Sequence, residues 1–255
     1  MEQFLINFDG FILCVLLLLP LLLLQRWLHR EIQSIFLLIT RRVEISYVMF
    51  SVLFLPGVFL HEMSHYVLAR LLGVRTGRFS LLPRPLENGR LQLGYVETSS
   101  TDLIRDALVG AAPLLTGGAF VIYAGFYHLK LQLLWNSLVG GEMVGLLEGF
   151  TRVVKEPDFW LWFYLTFAVS STMLPSASDR RAWRPLALIC LLLIGLILLA
   201  GAGAWFMAHL APFVNEAMRT AAMVFGISAA IHLALGLPAW GIRKGLSKIL
   251  GLKVV

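Results

Sequence analysis

Val52-Leu53-Phe54-Leu55-Pro56-Gly57-Val58-Phe59-Leu60-His61-Glu62-Met63-Ser64-His65 decides how this chain is read. Nine uncharged, mostly apolar residues run directly into three ionisable ones, inside a chain of 255 residues. Hydrophobic residues make up 58% of the chain and charged residues 14%, with a mean hydropathy of +0.80. Soluble domains carry about 25% charged residues. Several apolar runs approach or exceed the roughly 20 residues that cross a bilayer as a helix. The composition therefore predicts an all-α polytopic membrane protein.

Six transmembrane helices are predicted, at about 4–27, 45–70, 104–128, 158–175, 186–209 and 217–238. Between the first two, Ile32, Ile35, Phe36 and Ile39 fall on one helical face, which predicts a separate interfacial helix over 30–42. After the motif helix, two short strand-like runs, 79–82 and 91–96, flank the turn-rich Pro83-Arg84-Pro85-Leu86-Glu87-Asn88-Gly89. This pattern predicts a β-hairpin insertion at about 76–98. The connection at about 130–157 contains an amphipathic, glycine-interrupted stretch. The chain thus divides into an N-terminal span with its interfacial helix (1–44), a three-span core (45–185), and two C-terminal spans with a basic tail (186–255).

A net charge of +6 and a pI near 9.6 do not point to nucleic acid, because the basic residues sit in connections between spans and no basic patch interleaves with aromatics. They mark loops that face the cytoplasm and anionic lipid head groups. With six spans, 13 Lys and Arg fall on the side of the second and fourth connections and the C-terminus, against 8 on the other. That bias predicts both termini and the motif end of the second span on the cytoplasmic side. Cys14 and Cys190 lie in apolar runs and form no disulfide framework. The first ten residues lack a positive n-region, so the run 11–24 reads as a retained span rather than a removable signal.

In His61-Glu62-Met63-Ser64-His65 the two histidines are four residues apart and share a helix face, so both imidazoles can reach one zinc ion. Glu62 is turned towards the position of an attacking water and can serve as general base. Unpaired, each ionisable group at this depth costs about 2.5 kcal/mol or more, which marks a functional site. A structural reading, with the three residues packed at a helix interface, is the bland alternative. A catalytic zinc site needs a third protein ligand. The fourth predicted span runs parallel to the second and ends in Pro175-Ser176-Ala177-Ser178-Asp179, which brings Asp179 to the side of His61 and His65. Pro175 breaks the helix there. Against this stands a solvated Asp179 paired with Arg180 or Arg181. Glu142 and Glu148 are competing ligands, on the opposite side in this topology.

Strand 91–96, with Leu93 and Tyr95, can accept an extended substrate by edge addition, or serve as a plain structural hairpin. His128 and His209 stand at span ends. His232, inside the last span, fits a hydrogen-bonded packing role better than metal ligation. Trp160, Trp162 and Tyr164 form an aromatic belt, and the small residues around Gly201 permit close helix packing.

These motifs resemble the site-2 protease family of intramembrane zinc metalloproteases. That family pairs a His-Glu-x-x-His helix with a distant aspartate in an Asn-x-x-Pro-x-Pro-x-Leu-Asp-Gly context. The likeness covers about 50–185. It implies zinc ligands at His61, His65 and Asp179 and a base role for Glu62. The chain departs from the family pattern at Ser171, in the place of the asparagine, at the single proline Pro175, and at Arg180, in the place of the glycine. Ala112-Pro113-Leu114-Leu115-Thr116 occupies the place of the family's Gly-Pro-x-x-Asn. The resemblance carries substrate-positioning roles to Thr116 and Ser171.

The expected function is hydrolysis, by one zinc ion, of a peptide bond in or beside a transmembrane segment of another protein. Substrate and lipid bilayer are the expected partners, and the active site is expected near the cytoplasmic face of a multi-pass protein. A zinc-stabilised, non-catalytic scaffold binding membrane partners is the alternative. A transporter is disfavoured by the lack of paired inverted halves.

Overall fold

The computed structural model describes residues 2–85, 91–133 and 143–252. Helix α1 (Glu2–Thr40) and helix α2 (Val43–Leu71) are joined by a tight turn at Arg41, whose φ of 54° is left-handed. Four short strands follow: β1 (Thr76–Ser80), β2 (Arg84–Pro85), β3 (Leu91–Gln92) and β4 (Tyr95–Thr98). Then come α3 (Leu103–Tyr123), α4 (Met143–Val154), α5 (Phe159–Thr172), α6 (Trp183–Leu199), α7 (Gly203–His209) and α8 (Ala211–Leu250). The Asp102 side chain caps α3 by accepting from the Ile104 and Arg105 N–H groups. At its other end α3 runs on into a π-helical turn over Ala124–His128.

Among the described residues, four segments are helical, long and apolar enough to cross a bilayer: Phe8–Thr40, Val43–Leu71, Leu103–His128 and Ala211–Leu250. Their outer faces carry exposed Leu16, Leu23, Val52, Phe59, Leu115 and Leu237, side chains suited to lipid rather than water. This is the surface of an integral membrane protein. Helix α6 is a shorter apolar helix with no buried residue.

The separate interfacial helix expected at 30–42 does not exist as such, because α1 continues through it to Thr40. Neither glycine nor proline occurs between Pro20 and Pro56, so no helix-breaking residue separates this segment from the apolar run before it. Ile32, Ile35 and Phe36, the face expected to lie on the membrane surface, instead pack against the core of Leu28, Phe50 and Phe54. The fourth expected span is the 14-residue α5, and the fifth breaks between α6 and α7, where Gly201 adopts a φ of 75°. The sixth lies within the 40-residue α8.

Helices α1 and α8 run parallel. Gly10 N–H donates to Asn215 Oδ1 (2.8 Å), Trp27 packs on Gly236, and Glu31 pairs with Arg243. The start of α1 and the end of α8 therefore lie at opposite ends of this pair, not on the one side expected for the two termini. Arg243, Lys244 and Lys248, near the end of α8, thus lie at the other end, and the charge excess that assigned the motif end to the cytoplasm no longer holds.

The insertion after α2 is a long antiparallel hairpin. β1 pairs with β4 (Phe79 with Val96, Ser80 with Tyr95), interrupted by a bulge between Thr76 and Phe79, and β2 pairs with β3 (Arg84 with Gln92). The expected hairpin is thus present, but Arg84 and Pro85 of the expected turn 83–89 form β2, and residues 86–90 lie outside the described residues. Helices α2, α3 and α5 pack together beneath it. Close crossings are possible because Gly57 of α2 meets the Ala168 carbonyl of α5, where any Cβ would collide.

Candidate metal centre

The buried face of α2 reads Phe50, Phe54, Gly57, Val58, Glu62, His65 and Ala69, a helical spacing that ends in the ionisable residues. His61 and His65 are one turn apart on it, and their Nε2 atoms lie 3.3 Å apart. Each ring is held by its other nitrogen. His61 Nδ1 donates to the Thr172 carbonyl at the end of α5 (2.6 Å), and His65 Nδ1 donates to the Val109 carbonyl of α3 (2.8 Å). A carbonyl can only accept, so in the neutral rings both Nδ1 atoms carry the proton and both Nε2 atoms present lone pairs. Fixing the tautomer through a backbone carbonyl is the arrangement found behind metal-bound histidines.

Asp179 completes the group. Its Oδ2 is 3.7 Å from His61 Nε2, and its Oδ1 is 3.5 Å from His65 Nε2. Ligands about 2.0–2.1 Å from a tetrahedral zinc stand about 3.4 Å from one another. The three separations of 3.3, 3.5 and 3.7 Å are close to that figure. Three acceptors brought together in this way repel one another unless a cation, or a proton on one imidazole, lies between them. His61, His65 and Asp179 could therefore hold a metal ion.

The segment that carries Asp179 is docked rather than loose. Ser176 N–H donates to Asp179 Oδ2 (2.7 Å), and Arg181 makes a bidentate pair with Asp106 of α3 (2.6 and 2.8 Å). Arg180 donates to the Ser176 carbonyl. Both arginines are thus engaged elsewhere, and Asp179 is not the solvated partner of either. Burial acts to raise the Asp179 carboxyl, but the neighbouring His61 and His65 and Ser176 outweigh it and hold the group well below the usual carboxylate range. It is ionised at neutral pH, as a metal ligand must be.

Gly110 of α3 touches the Asp179 carbonyl so closely that a Cβ would collide with it. Gly110→Ala is expected to destabilise the protein by about 1–3 kcal/mol through overpacking and to weaken metal binding by displacing Asp179. A melting curve in detergent and a chelator titration check this; unchanged values in both would show that the contact relaxes freely.

Glu62 is 7% exposed and shares with His61, His65 and Asp179 a cavity of about 590 Å³. The hairpin roofs it. Gly94 lies over Glu62, and a Cβ there would stand 2.9 Å from Glu62 Cγ and 3.1 Å from its Oε1. Leu93 and Tyr95 line the same cavity. Ser171 borders it, but its hydroxyl is turned to His232 of α8 (3.0 Å). Thr116 is exposed on α3, with its hydroxyl bonded to the Ala112 carbonyl of its own helix, and it is not among the residues lining the cavity. Glu148 is exposed and pairs with Arg152, outside the metal group; Glu142 lies outside the described residues.

Sequence reasoning missed the carbonyls of Thr172 and Val109, which no side-chain pattern announces. It also missed the Asp106–Arg181 pair, 75 residues apart in the chain. His232 has the packing role expected of it, donating from Nδ1 to Ser228 (2.7 Å). His128 stacks on Trp162, 3.6 Å between centroids, within the expected aromatic belt. Compared with models of known protein families, with curated proteins and with solved structures, the chain matches none.

Proposed function

We propose that this chain is an intramembrane zinc endopeptidase that hydrolyses a peptide bond in or next to a transmembrane segment of a substrate protein. The reading rests above all on the convergence of His61 Nε2, His65 Nε2 and the Asp179 carboxylate beside a buried glutamate. Two imidazoles and one carboxylate suit zinc, and three protein ligands leave a fourth position for chemistry, whereas a purely structural site is closed by four. Among the described residues the group has three members. When bound, zinc would polarise the scissile carbonyl and lower the pKa of a water.

The chain's own groups do the rest. His61 and His65 are held in one tautomer by Thr172 and Val109, so no reorientation is needed at the moment of reaction. Glu62 takes the proton of the attacking water and passes it to the leaving amine. A helical substrate has its carbonyls occupied and must unwind first; the segment from β3 to β4, bordering the cavity, would receive the opened segment by main-chain pairing. We read α1, α2, α3 and α8 as spanning helices of a multi-pass protein, which sets the cavity within the reach of a substrate helix.

The test is metal removal. Protein purified in detergent is expected to contain about one zinc per chain and to cleave a transmembrane substrate segment. A chelator such as 1,10-phenanthroline should abolish cleavage, and added zinc should restore it. Cleavage that persists in metal-free protein would overturn the reading. Bound zinc with no cleavage of any transmembrane peptide would favour the scaffold instead.

A further inference from the structure

The last four carbonyls of a helix have no partner within it, and at membrane depth each must find one elsewhere. Helix α5 ends at Thr172, and its last two carbonyls are taken by side chains from other helices. Thr172 O accepts from His61 Nδ1 of α2 (2.6 Å), and Ser171 O accepts from Gln25 Nε2 of α1 (2.5 Å). The Ser171 side chain is held as well. His232 Nδ1 donates to the Ser228 carbonyl (2.7 Å), which leaves Nε2 as an acceptor for the Ser171 hydroxyl (3.0 Å). His232 and Ser228 are wholly buried, and Ser171 is nearly so. One residue, Ser171, is thus gripped from α1 and from α8, and its neighbour Thr172 is the residue that orients a metal-binding ring.

We propose that Gln25 and His232 are positioning residues of the metal centre, acting from two helices that contribute no ligand. They fix the final turn of α5, and through it the Thr172 carbonyl that aligns His61. The same turn leads into the segment 173–178, so its position also sets where Asp179 arrives. Helices α1 and α8 are packed on each other along their length, and the pair therefore bears on the metal site as a unit. The inference rests on the metal reading of His61, His65 and Asp179 and is independent of peptide hydrolysis.

The experiment measures zinc affinity by chelator competition on the purified full chain, with the d–d spectrum of the cobalt-loaded protein as a geometric readout. Outer partners of metal-bound histidines are worth about 10–100-fold in affinity. Gln25→Met and His232→Leu are each expected to weaken zinc binding by about tenfold or more and to shift the cobalt spectrum. Ser171→Ala should weaken it too, and adding His232→Leu to it should cost little more, because both break one hydrogen bond. His232→Gln, which can still accept from Ser171, should recover much of the loss. A purely structural role would lower the melting temperature of the metal-free protein while leaving affinity and spectrum alone. If His232→Leu does not fold, Gln25→Met and Ser171→Ala decide the matter. Wild-type affinity in those two variants, with zinc bound in the wild type, overturns this inference alone. Failure of the wild type to bind zinc removes the metal reading and this inference with it.

Discussion

Glu62→Gln is expected to keep about one zinc per chain and to lose peptide cleavage by about 10²–10⁴-fold, the range that a positioned general base contributes. The substitution is nearly isosteric, so the cavity roofed by Gly94 keeps its shape. Glu62 is outside the group formed by His61, His65 and Asp179, so metal binding does not depend on it. The replaced group is 7% exposed at membrane depth, where exchanging a carboxylate for an amide removes a charge rather than adding one, and folding should survive. The loss should fall on kcat, because the proton transfer happens only in the transition state. Zinc content and single-turnover cleavage are measured on the same preparation. Cleavage at the wild-type rate would end the proteolytic assignment of this residue.

Asp179→Ala is expected to cost more zinc affinity than the roughly 10–100-fold of an outer-shell partner, because it removes one of three ligands. Zinc should be stripped during purification, and cleavage should disappear with it. Asp179→Asn keeps an oxygen for the Ser176 N–H but loses the charge, so a partial loss is expected. Arg181 remains bound to Asp106 in both variants and holds the segment on α3, which separates ligand loss from loop displacement. Full zinc content in Asp179→Ala, measured by metal analysis, would move the third ligand elsewhere.

Much of this was legible in the sequence because it is local. Apolar runs of bilayer length announce long helices, and four of them are present. The His-x-x-x-His spacing puts both rings on one face whatever the surroundings, and the two Nε2 atoms do meet. The strand runs around Pro83-Arg84-Pro85 form the hairpin, and Leu93 and Tyr95 reach the cavity. Asp179 was reached by a topological argument, the parallel course of α2 and α5, and it lies 3.5 and 3.7 Å from the two imidazoles. Thr116 lies away from the cavity, bonded to its own helix, because family context says nothing about which way a side chain turns on a helix. Ser171 lies at the cavity's edge as expected, yet its hydroxyl belongs to a histidine 61 residues away.

By itself, then, the sequence determined the membrane character, the helix that carries the two histidines, the glutamate between them and the hairpin that follows. These depend on periodicity and composition within a few turns of chain. Only the tertiary structure decided that α1 runs unbroken to Thr40 and parallel to α8, that Thr172 and Val109 orient the rings, and that Gln25 and His232 grip the end of α5. Each of these is a contact between segments distant in sequence. It is set by which faces pack and which orphaned carbonyls need donors, and no local pattern encodes that pairing.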